Sequence, residues 1–550
     1  MKDIYTHAGT LFVLIFTLSC QKSADIKQSL DSITEMDMKE RISVLASDEF
    51  QGRFPATVGE EKTVKYLSDQ FREIGLIPGN GNSYYQEVPL VKITPDHEMK
   101  LKFSEGKNNL ILDFFNDFIG GTPRISENID IRNSELIFVG FGINAPEYQW
   151  NDYEGLDVKG KTVLILVNDP GYYVKDSSFF TGIAMTYYGR WIYKYEEAAR
   201  QGAAAAIIIH ETQAASYPWA VVQNSWSGTR FYLEKNILSQ SDLQFTSWIT
   251  EQSAQKLFQN AGLKYEDYLA KAYQRGFKAT KMNQKVSISF KNQIEYVKSK
   301  NVVAILPGQK RADEFIIYTA HWDHFGVIRT FKGDSILNGA LDNATGTAAL
   351  IELAEAYKQL PRVSDRSVLF LAVTCEEQGL LGSQYYAENP VIPLNKTIAV
   401  INMDALNIFG RTRDMTISGM GLSDLDSYAV EVLDRYNRYP SPDSNPESGG
   451  YFRSDHFSFS KVGVPSLNIS FGIDNVEHGK DWALENMQKW IRENYHKPSD
   501  NYDPETWRFD GMVEDLKVYF EIGYFLSVSE KYPNWKDGVM YKTKRDEMMK

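Results

Sequence analysis

The feature that most constrains this chain is a set of four almost entirely apolar runs in its C-terminal half. Runs of this kind are typical of strands buried on both faces, in a sheet that helices cover on each side. The runs are Val302–Leu306, Glu314–Ala320, Ser367–Thr374 and Thr397–Met403. Helical patterns separate or follow them at 345–359, 379–388 and 422–436. The sequence therefore predicts an α/β fold with a mixed, largely parallel sheet sandwiched by helices.

Imidazole and carboxylate side chains stand where these runs end. His321 and Asp323 follow the second run, Glu376 and Glu377 the third, and Asp404 the fourth. Open α/β sheets bind ligands at the carboxyl ends of their strands, so we expect these side chains to meet in one crevice. Asp342, just before the helix predicted from Thr345, and His496, in a polar loop, can reach the same crevice.

The types of side chain in this crevice favour zinc. The chain has eight His and only two Cys, so imidazole and carboxylate ligands remain and a thiolate-rich site is excluded. Three carboxylates carry about −3 against about +4 for two zinc ions, and a bridging hydroxide would bring the centre near neutrality. A single ion would leave carboxylates repelling one another. We therefore expect two Zn²⁺ ions per chain.

The spacing of these side chains resembles a known family. The matching stretches are His321-Trp322-Asp323-His324, Asp342-Asn343, Glu376-Glu377, Asp404 and His496. They resemble the co-catalytic zinc aminopeptidases, which share their fold with glutamate carboxypeptidase and the transferrin receptor ectodomain. The resemblance covers most of residues 300–505 and implies a zinc exopeptidase fold.

The resemblance also implies a role for each metal-type residue. Asp342 would bridge both zinc ions. His321 and Asp404 would complete the ligands of one ion, and Glu377 and His496 those of the other.

Further roles follow from the same resemblance. Glu376 would be the general base that activates the zinc-bridging water, which requires a carboxylate near the water but not tied to metal. Asp323 would orient His321 through its other ring nitrogen. His324 is expected to be structural or to support a ligand.

A later stretch, Gly450–Phe457, also resembles the family. Tyr451 matches a tyrosine that donates a hydrogen bond to the developing oxyanion. Arg453 is a candidate partner for a substrate carboxylate, with a salt bridge to Asp455 or Asp443 as the alternative.

The chain divides into further segments before the apolar runs. Asp152–Lys161 and the helix–glycine–strand pattern of Ala198–Ile209 resemble a protease-associated domain, with any small α/β insert as the alternative. Helical periodicity within 35–80 stops at Gly75 and Pro78-Gly79. The predicted domains are 30–125 for the N-terminal part of the catalytic domain, 130–290 for the inserted protease-associated domain, and 295–540 for the catalytic zinc peptidase domain.

Residues 1–20 have the pattern of an export signal. Lys2 precedes the apolar run Leu11–Leu18, which is too short to span a membrane. Thr17–Cys20 resembles a bacterial lipoprotein acylation site, with a plain cleaved signal peptide as the alternative. We expect an exported protein, periplasmic or anchored by lipid to a membrane surface at Cys20, as an outer-membrane or cell-surface lipoprotein. Cys375 is then left without a disulfide partner.

Four functions remain open at this point. The net charge of −13 argues against a nucleic-acid partner, which needs a basic face. The leading hypothesis is an aminopeptidase acting on peptide substrates. A glutamate carboxypeptidase needs several cations, and only Arg411, Arg413 and Arg453 lie near the motifs. A glutaminyl cyclase would use one zinc, and a receptor-like scaffold would lose ligands.

Overall fold

The computed structural model describes residues 26–550 apart from 107, 236–237, 239–240 and 329–334. The predicted export signal and the acylation site at Cys20 lie outside these residues. In the part of the chain that is described, no helix combines the length and the apolar character needed to cross a bilayer.

The C-terminal half is built on a mixed sheet that has ten strands in the described residues. Two short strands, Ile77–Pro78 and Arg230–Leu233, pair with Thr280–Leu306 and Tyr85–Pro95. The other eight follow one another across the sheet. In spatial order they are Tyr85–Pro95, Thr280–Leu306, Arg366–Val373, Arg311–His321, Thr397–Asn402, Ser466–Phe471, Asp414–Ser418 and Tyr439–Pro442. The four central strands, from Arg366–Val373 to Ser466–Phe471, run parallel. All four apolar runs are strands of this sheet, which confirms the predicted fold class.

Helices cover both faces of this sheet. Neighbouring residues of one strand show why, because Ile316 and Ile317 are both fully buried yet belong to different apolar clusters. The helices on the first side are Glu35–Leu45, Val58–Ile74, Thr345–Lys358, Leu425–Arg435 and Phe509–Val528. The second side is covered by Leu381–Glu388 and His456–Lys461. Burial on both faces is the physical reason why the strands carry no polar alternation.

The N-terminal helices end close to where the sequence predicts. Val58–Ile74 starts at Thr57, whose side chain accepts from the Gly59 N–H, and it stops at Gly75 in the left-handed conformation (φ +85°). Glycine adopts this conformation at little cost, which makes it the usual residue after a helix.

A second sheet forms the insert. Its strands, in spatial order, are Asn108–Asp113, Lys100–Glu105, the first half of Thr280–Leu306, Asn128–Phe138, Thr162–Leu166, Ala205–His210, Phe245–Thr250 and Phe118–Gly121. Its longer helices are Trp191–Arg200, Glu251–Asn260 and Tyr265–Ala272. Further helices, which belong to neither list given above, are Trp219–Trp226, Gly479–Glu493 and Lys542–Met548.

The strand pairing corrects the predicted domain boundaries. Residues 100–121 pair with strands of the insert, so they do not belong to the predicted N-terminal segment 30–125. The boundary predicted between 290 and 295 falls inside Thr280–Leu306, a strand of 27 residues that belongs to both sheets. The identity of the insert as a protease-associated domain stays a prediction.

Candidate metal centre and its cavity

The predicted metal-type residues lie at one edge of the larger sheet. His321 ends the strand Arg311–His321, Glu376 and Glu377 follow Arg366–Val373, and Asp404 follows Thr397–Asn402. Asp342 lies in the turn Ala340–Ala344, which leads into the helix Thr345–Lys358. The expected convergence at the carboxyl ends of the strands is therefore observed.

The first group of ligand atoms surrounds His321. Its Nε2 lies 3.3 Å from Asp342 Oδ1 and 3.3 Å from Asp404 Oδ1. One ligand atom from each of the three residues lies within 4.8 Å of the other two, so the three atoms could coordinate one metal ion. An imidazole and two carboxylates thus face one point.

The second group uses the other oxygen of Asp342. His496 Nε2 lies 3.3 Å from Asp342 Oδ2 and 3.2 Å from Glu377 Oε2. Asp342 therefore stands between the two groups and offers one oxygen to each. All five residues predicted as metal ligands are in this cluster.

His324 is closer to this group than the sequence suggests. Its Nδ1 lies 2.8 Å from Glu377 Oε1, and its ligand atoms fall within 4.8 Å of those of Asp342 and Glu377. Glu377 thus has one oxygen towards His496 and the other towards His324. The fully buried His324 either supports Glu377 or competes with His496 as a ligand.

The cluster has the chemistry of a cation site. His496 Nε2, Glu377 Oε1 and both ring nitrogens of His324 are buried, and despite the short distances between imidazole and carboxylate none of them makes a hydrogen bond of normal geometry. Burial alone would lower the pKa of His496, but the charges of Glu377 and Asp342 outweigh it and raise this pKa to about 9. Buried carboxylates and unpartnered imidazoles in one place need compensating positive charge. Imidazole nitrogen with carboxylate oxygen is a donor set that zinc accepts, so the residues fit two such ions.

Glu376 lies beside the cluster without belonging to either ligand group. Burial, with Glu377 and Asp404 adding their negative charge, holds the pKa of its carboxyl well above the usual value. Its main-chain N–H donates to Asp323 Oδ1 at 3.0 Å. The neighbouring Asp323 thus fixes where the Glu376 side chain begins.

The predicted contact between Asp323 and His321 differs in its atoms. His321 Nδ1 lies 3.1 Å from the main-chain oxygen of Asp323 and 3.8 Å from its Oδ1. The carbonyl oxygen therefore orients the ring, while the carboxylate accepts from the Glu376 N–H. The reason is local: only Trp322 separates the two residues in sequence, and the strand ends at His321.

Three supporting residues were missed from sequence. Asp500 accepts from the N–H groups of Leu341 and Asp342 at 3.0 and 3.2 Å. Tyr495 stacks on His496 with 3.7 Å between ring centroids. Ser454 Oγ donates to Asp404 Oδ2 at 2.7 Å. They lie in stretches that the motifs already single out, but a sequence does not show which atoms face each other.

Asn343 connects the two strand-end segments. Its Oδ1 accepts from the N–H groups of Gly346 and Ala405 at 2.8 and 3.2 Å, and its Nδ2 donates to the Met403 carbonyl at 3.0 Å. It therefore holds the Asp342 turn against the segment that carries Asp404.

Ser454→Ala is expected to weaken metal binding about 10- to 100-fold, the usual effect of losing a partner that orients a ligand. The cause is the lost hydrogen bond to Asp404, so the ion held with His321 should be affected first. Competition with a chromophoric chelator measures the affinity. Ser441→Ala is the matched control, because this hydroxyl donates to Asp414, at 2.8 Å, instead. Equal affinities in both variants would contradict the supporting role.

A cavity of about 420 Å³ opens beside the cluster, between the insert and the C-terminal half. Glu376, Glu377 and His496 are among its lining residues and connect it to the cluster. Its other walls include aromatic residues of the insert, namely Trp191, Tyr195, Tyr217, Trp226 and Trp248. The insert therefore shapes the space next to the candidate metal centre.

Two residues predicted to meet substrate are placed differently. Arg453 lines the cavity, with its guanidinium 5.1 Å from the centre of the Tyr217 ring. Tyr451 is not among the lining residues that the described chain provides. Its hydroxyl is hydrogen-bonded to Ser460 Oγ at 2.9 Å, and its ring packs against His456. The oxyanion role of Tyr451 thus stays a prediction.

The other candidate cations are engaged elsewhere. Arg411 pairs with Glu514 at 3.3 Å, and Arg413 pairs with Asp474 at 3.1 Å. Neither arginine lines the cavity among the described residues.

Comparison with known proteins places this site in a family. Residues 301–520 match the model of peptidase family M28. The chain is 26% identical over 244 residues to Aminopeptidase NAALADL1 of Mus musculus, and this alignment covers 40% of the chain and 30% of the mouse protein. It is 26% identical over 217 residues to Aminopeptidase YwaD of Bacillus subtilis (strain 168), and this alignment covers 37% of the chain and 40% of the bacterial protein. The match thus spans less than half the length of either relative.

A solved structure extends the likeness to the insert. The aminopeptidase from Aneurinibacillus sp. strain AM-1 aligns with 92% of this chain and 97% of its own, at 20% sequence identity and a TM-score of 0.53. At this identity the likeness shows a shared fold.

Proposed function

Because residues 301–520 match the model of peptidase family M28, we propose that this protein is a zinc-dependent aminopeptidase, which removes N-terminal residues from peptides. One observation carries the proposal. Asp342 stands between two groups of imidazole and carboxylate ligands, next to a cavity that Glu376 also lines. Both curated relatives described above are named aminopeptidases.

The proposed ligands are five residues. Asp342 would be shared, His321 and Asp404 would complete one site, and Glu377 and His496 the other. We assign His496 rather than His324 because its Nε2 lies within 3.3 Å of both Asp342 and Glu377. His324 would then stabilise the remaining oxygen of Glu377.

Glu376 is the proposed general base. When bound, zinc supplies Lewis-acid polarisation of a carbonyl group and lowers the pKa of water. The Glu376 carboxylate, which is not in a ligand group, would take the proton from the attacking water and deliver it to the leaving amine. The hydrogen bond from the Glu376 main-chain N–H to Asp323 would keep the Glu376 carboxylate in place through both steps. Tyr451 remains a proposed donor to the oxyanion.

The other parts of the proposal concern the flanking segments. The insert would limit which substrates fit, because its aromatic side chains line the cavity. Export through residues 1–20 and lipid anchoring at Cys20 would place the enzyme in the periplasm or at the cell surface. A Cys20→Ala variant that loses fatty-acid labelling and membrane association would support this anchoring.

The proposed function predicts about two zinc ions per chain in protein that begins after residue 20. Such protein should hydrolyse aminoacyl-nitroanilides and peptides with free N-termini. It should fail on the same peptides with blocked N-termini. Chelation should abolish turnover, and added zinc should restore it. Elemental analysis and product analysis measure both expectations.

Other results would point to other functions. Cleavage only from the carboxyl end would indicate a carboxypeptidase. A single zinc with cyclisation of N-terminal glutamine would indicate a glutaminyl cyclase. Protein without metal and without turnover would indicate a receptor-like scaffold.

A further inference from the structure

Three arginines converge on the cavity beside the candidate metal centre. Arg190 precedes a helix of the insert, Arg230 begins a strand that pairs with Tyr85–Pro95 of the larger sheet, and Arg453 lies in the loop that follows Gly450. Arg190 and Arg453 are close enough for the charge of one to lower the pKa of the other. Three like charges thus line one cavity.

These guanidinium groups have no carboxylate partner within the described residues. Among the acids that line the cavity, Glu196 lies near Lys461 and Arg200, at 3.7 and 3.8 Å, and Glu377 faces His496. The groups that influence the pKa of Arg230 are the phenols of Tyr232 and Tyr195, and no carboxylate is among them. None of the three arginines therefore has its charge compensated by a carboxylate of the described chain.

Burial makes this arrangement costly. Arg190 is 8% exposed and Arg230 is 6% exposed, and the Nε of each has no hydrogen-bond partner. Burial, with the charge of Arg453 adding to it, lowers the pKa of Arg190 to about 10, so the group is still a cation near neutral pH. Buried charges are normally paired, and an unpaired cation costs several kcal/mol.

Aromatic rings hold the groups in position. The Arg230 guanidinium lies 4.1 Å from the centre of the Trp226 ring, and its Nη1 donates to the Ser225 carbonyl at 3.0 Å. Arg453 lies over Tyr217. A guanidinium over an aromatic ring is attracted to the face of that ring, which keeps the cation at this place in the cavity.

We propose that Arg190, Arg230 and Arg453 bind a carboxylate of the substrate, so that the enzyme prefers peptides with an anionic group on the part that enters the cavity. This inference rests on the proposed function and specifies its substrate class. Arginine matches a carboxylate through two parallel N–H···O bonds, which a neutral group cannot accept equally well. A cavity of about 420 Å³ is at the small end of ligand pockets, which suits a short peptide.

The carboxylate has two sources, which substrate pairs distinguish. Leu-Ala and Leu-Ala amide differ only in the C-terminal carboxylate. Leu-Asp amide and Leu-Asn amide differ only in the side-chain carboxylate. We expect kcat/KM at least about 10-fold higher for the acid of one pair, since hydrogen bonds between charged groups are strong. Equal values within both pairs would overturn the proposal.

Arg190→Gln should lower kcat/KM for the preferred acid about 10- to 100-fold and leave its neutral counterpart within about twofold. If Arg190→Gln does not fold, Arg230→Gln is measured on the same pair of peptides. Arg413→Gln is the matched control, because Arg413 pairs with Asp474 outside the cavity. Equal losses for acid and neutral peptides would show a merely structural role and contradict the inference.

Binding to metal-free protein separates the two proposals. Trp191 and Trp226 line the cavity, so their fluorescence should report on peptides that enter it. We expect the free acid to bind at least about 10-fold more tightly than its amide, and Arg190→Gln to remove the difference. Selective binding without turnover of any peptide would refute the peptidase while supporting the arginine site. Turnover without any selectivity, in rate or binding, would refute the arginine site alone.

Discussion

Glu376→Gln is expected to lower kcat by about 10²- to 10⁴-fold, the range that a positioned general base contributes. The amide keeps the size of the side chain but cannot accept the proton from the attacking water. Glu376 lies in neither ligand group, so the zinc content should stay that of the unmodified protein. Its main-chain bond to Asp323 is also retained, because the substitution changes only the carboxyl group.

The measurement is turnover and metal content on the same sample. Glu431→Gln is the matched control, since this exposed glutamate pairs with Arg435 at 3.0 Å, away from the cluster. A Glu376→Gln protein that has lost both metals would show that Glu376 is a ligand. Nearly full turnover with full metal would assign the base to another residue.

Much of the fold could be predicted because burial on both faces leaves a clear pattern. The run predicted at Glu314–Ala320 is the core of the strand Arg311–His321, and the helix predicted at 345–359 is Thr345–Lys358. The positions of His321 and Asp404 follow from the same pattern, since parallel strands end at one edge. Chemistry at strand ends is therefore the part of the site that sequence shows best.

Long-range pairing was harder to predict. Thr280–Leu306 belongs to two sheets, and nothing in its local sequence marks the point where it passes from one to the other. Lys100–Glu105 has ordinary strand periodicity, so only its pairing reveals that it belongs to the insert. Local periodicity determines that a strand forms but not which partner it chooses.

Atomic roles were the least accessible. His324 and Tyr451 are both near matched motifs, yet one faces Glu377 and the other bonds Ser460. Arg190 and Arg230 each precede Arg453 by more than 200 residues in the sequence, so no motif connects them. Their meeting depends on how the insert packs over the sheet.

Asp342→Asn should have the broadest effect on metal binding. Asn keeps the shape of the side chain but removes the negative charge that faces both groups. Burial opposes ionisation of Asp342, yet the neighbouring His321 and His496 imidazoles hold its pKa well below the usual value. The carboxylate is thus ionised between two imidazoles, and its loss removes one anionic ligand from each site. We expect affinity to fall more than about 100-fold at both sites, beyond the effect of losing a supporting partner.

Single-site variants make this prediction specific to a shared ligand. Asp404→Asn should weaken the ion held with His321 and spare the other, and Glu377→Gln should do the reverse. Only Asp342→Asn should remove both ions together at a zinc concentration that saturates the unmodified protein. Asp474→Asn, a surface change, controls for general effects on folding. If Asp342→Asn lost one ion and kept the other, the two oxygens of Asp342 could not serve separate metals, and the centre would be two independent sites that happen to adjoin.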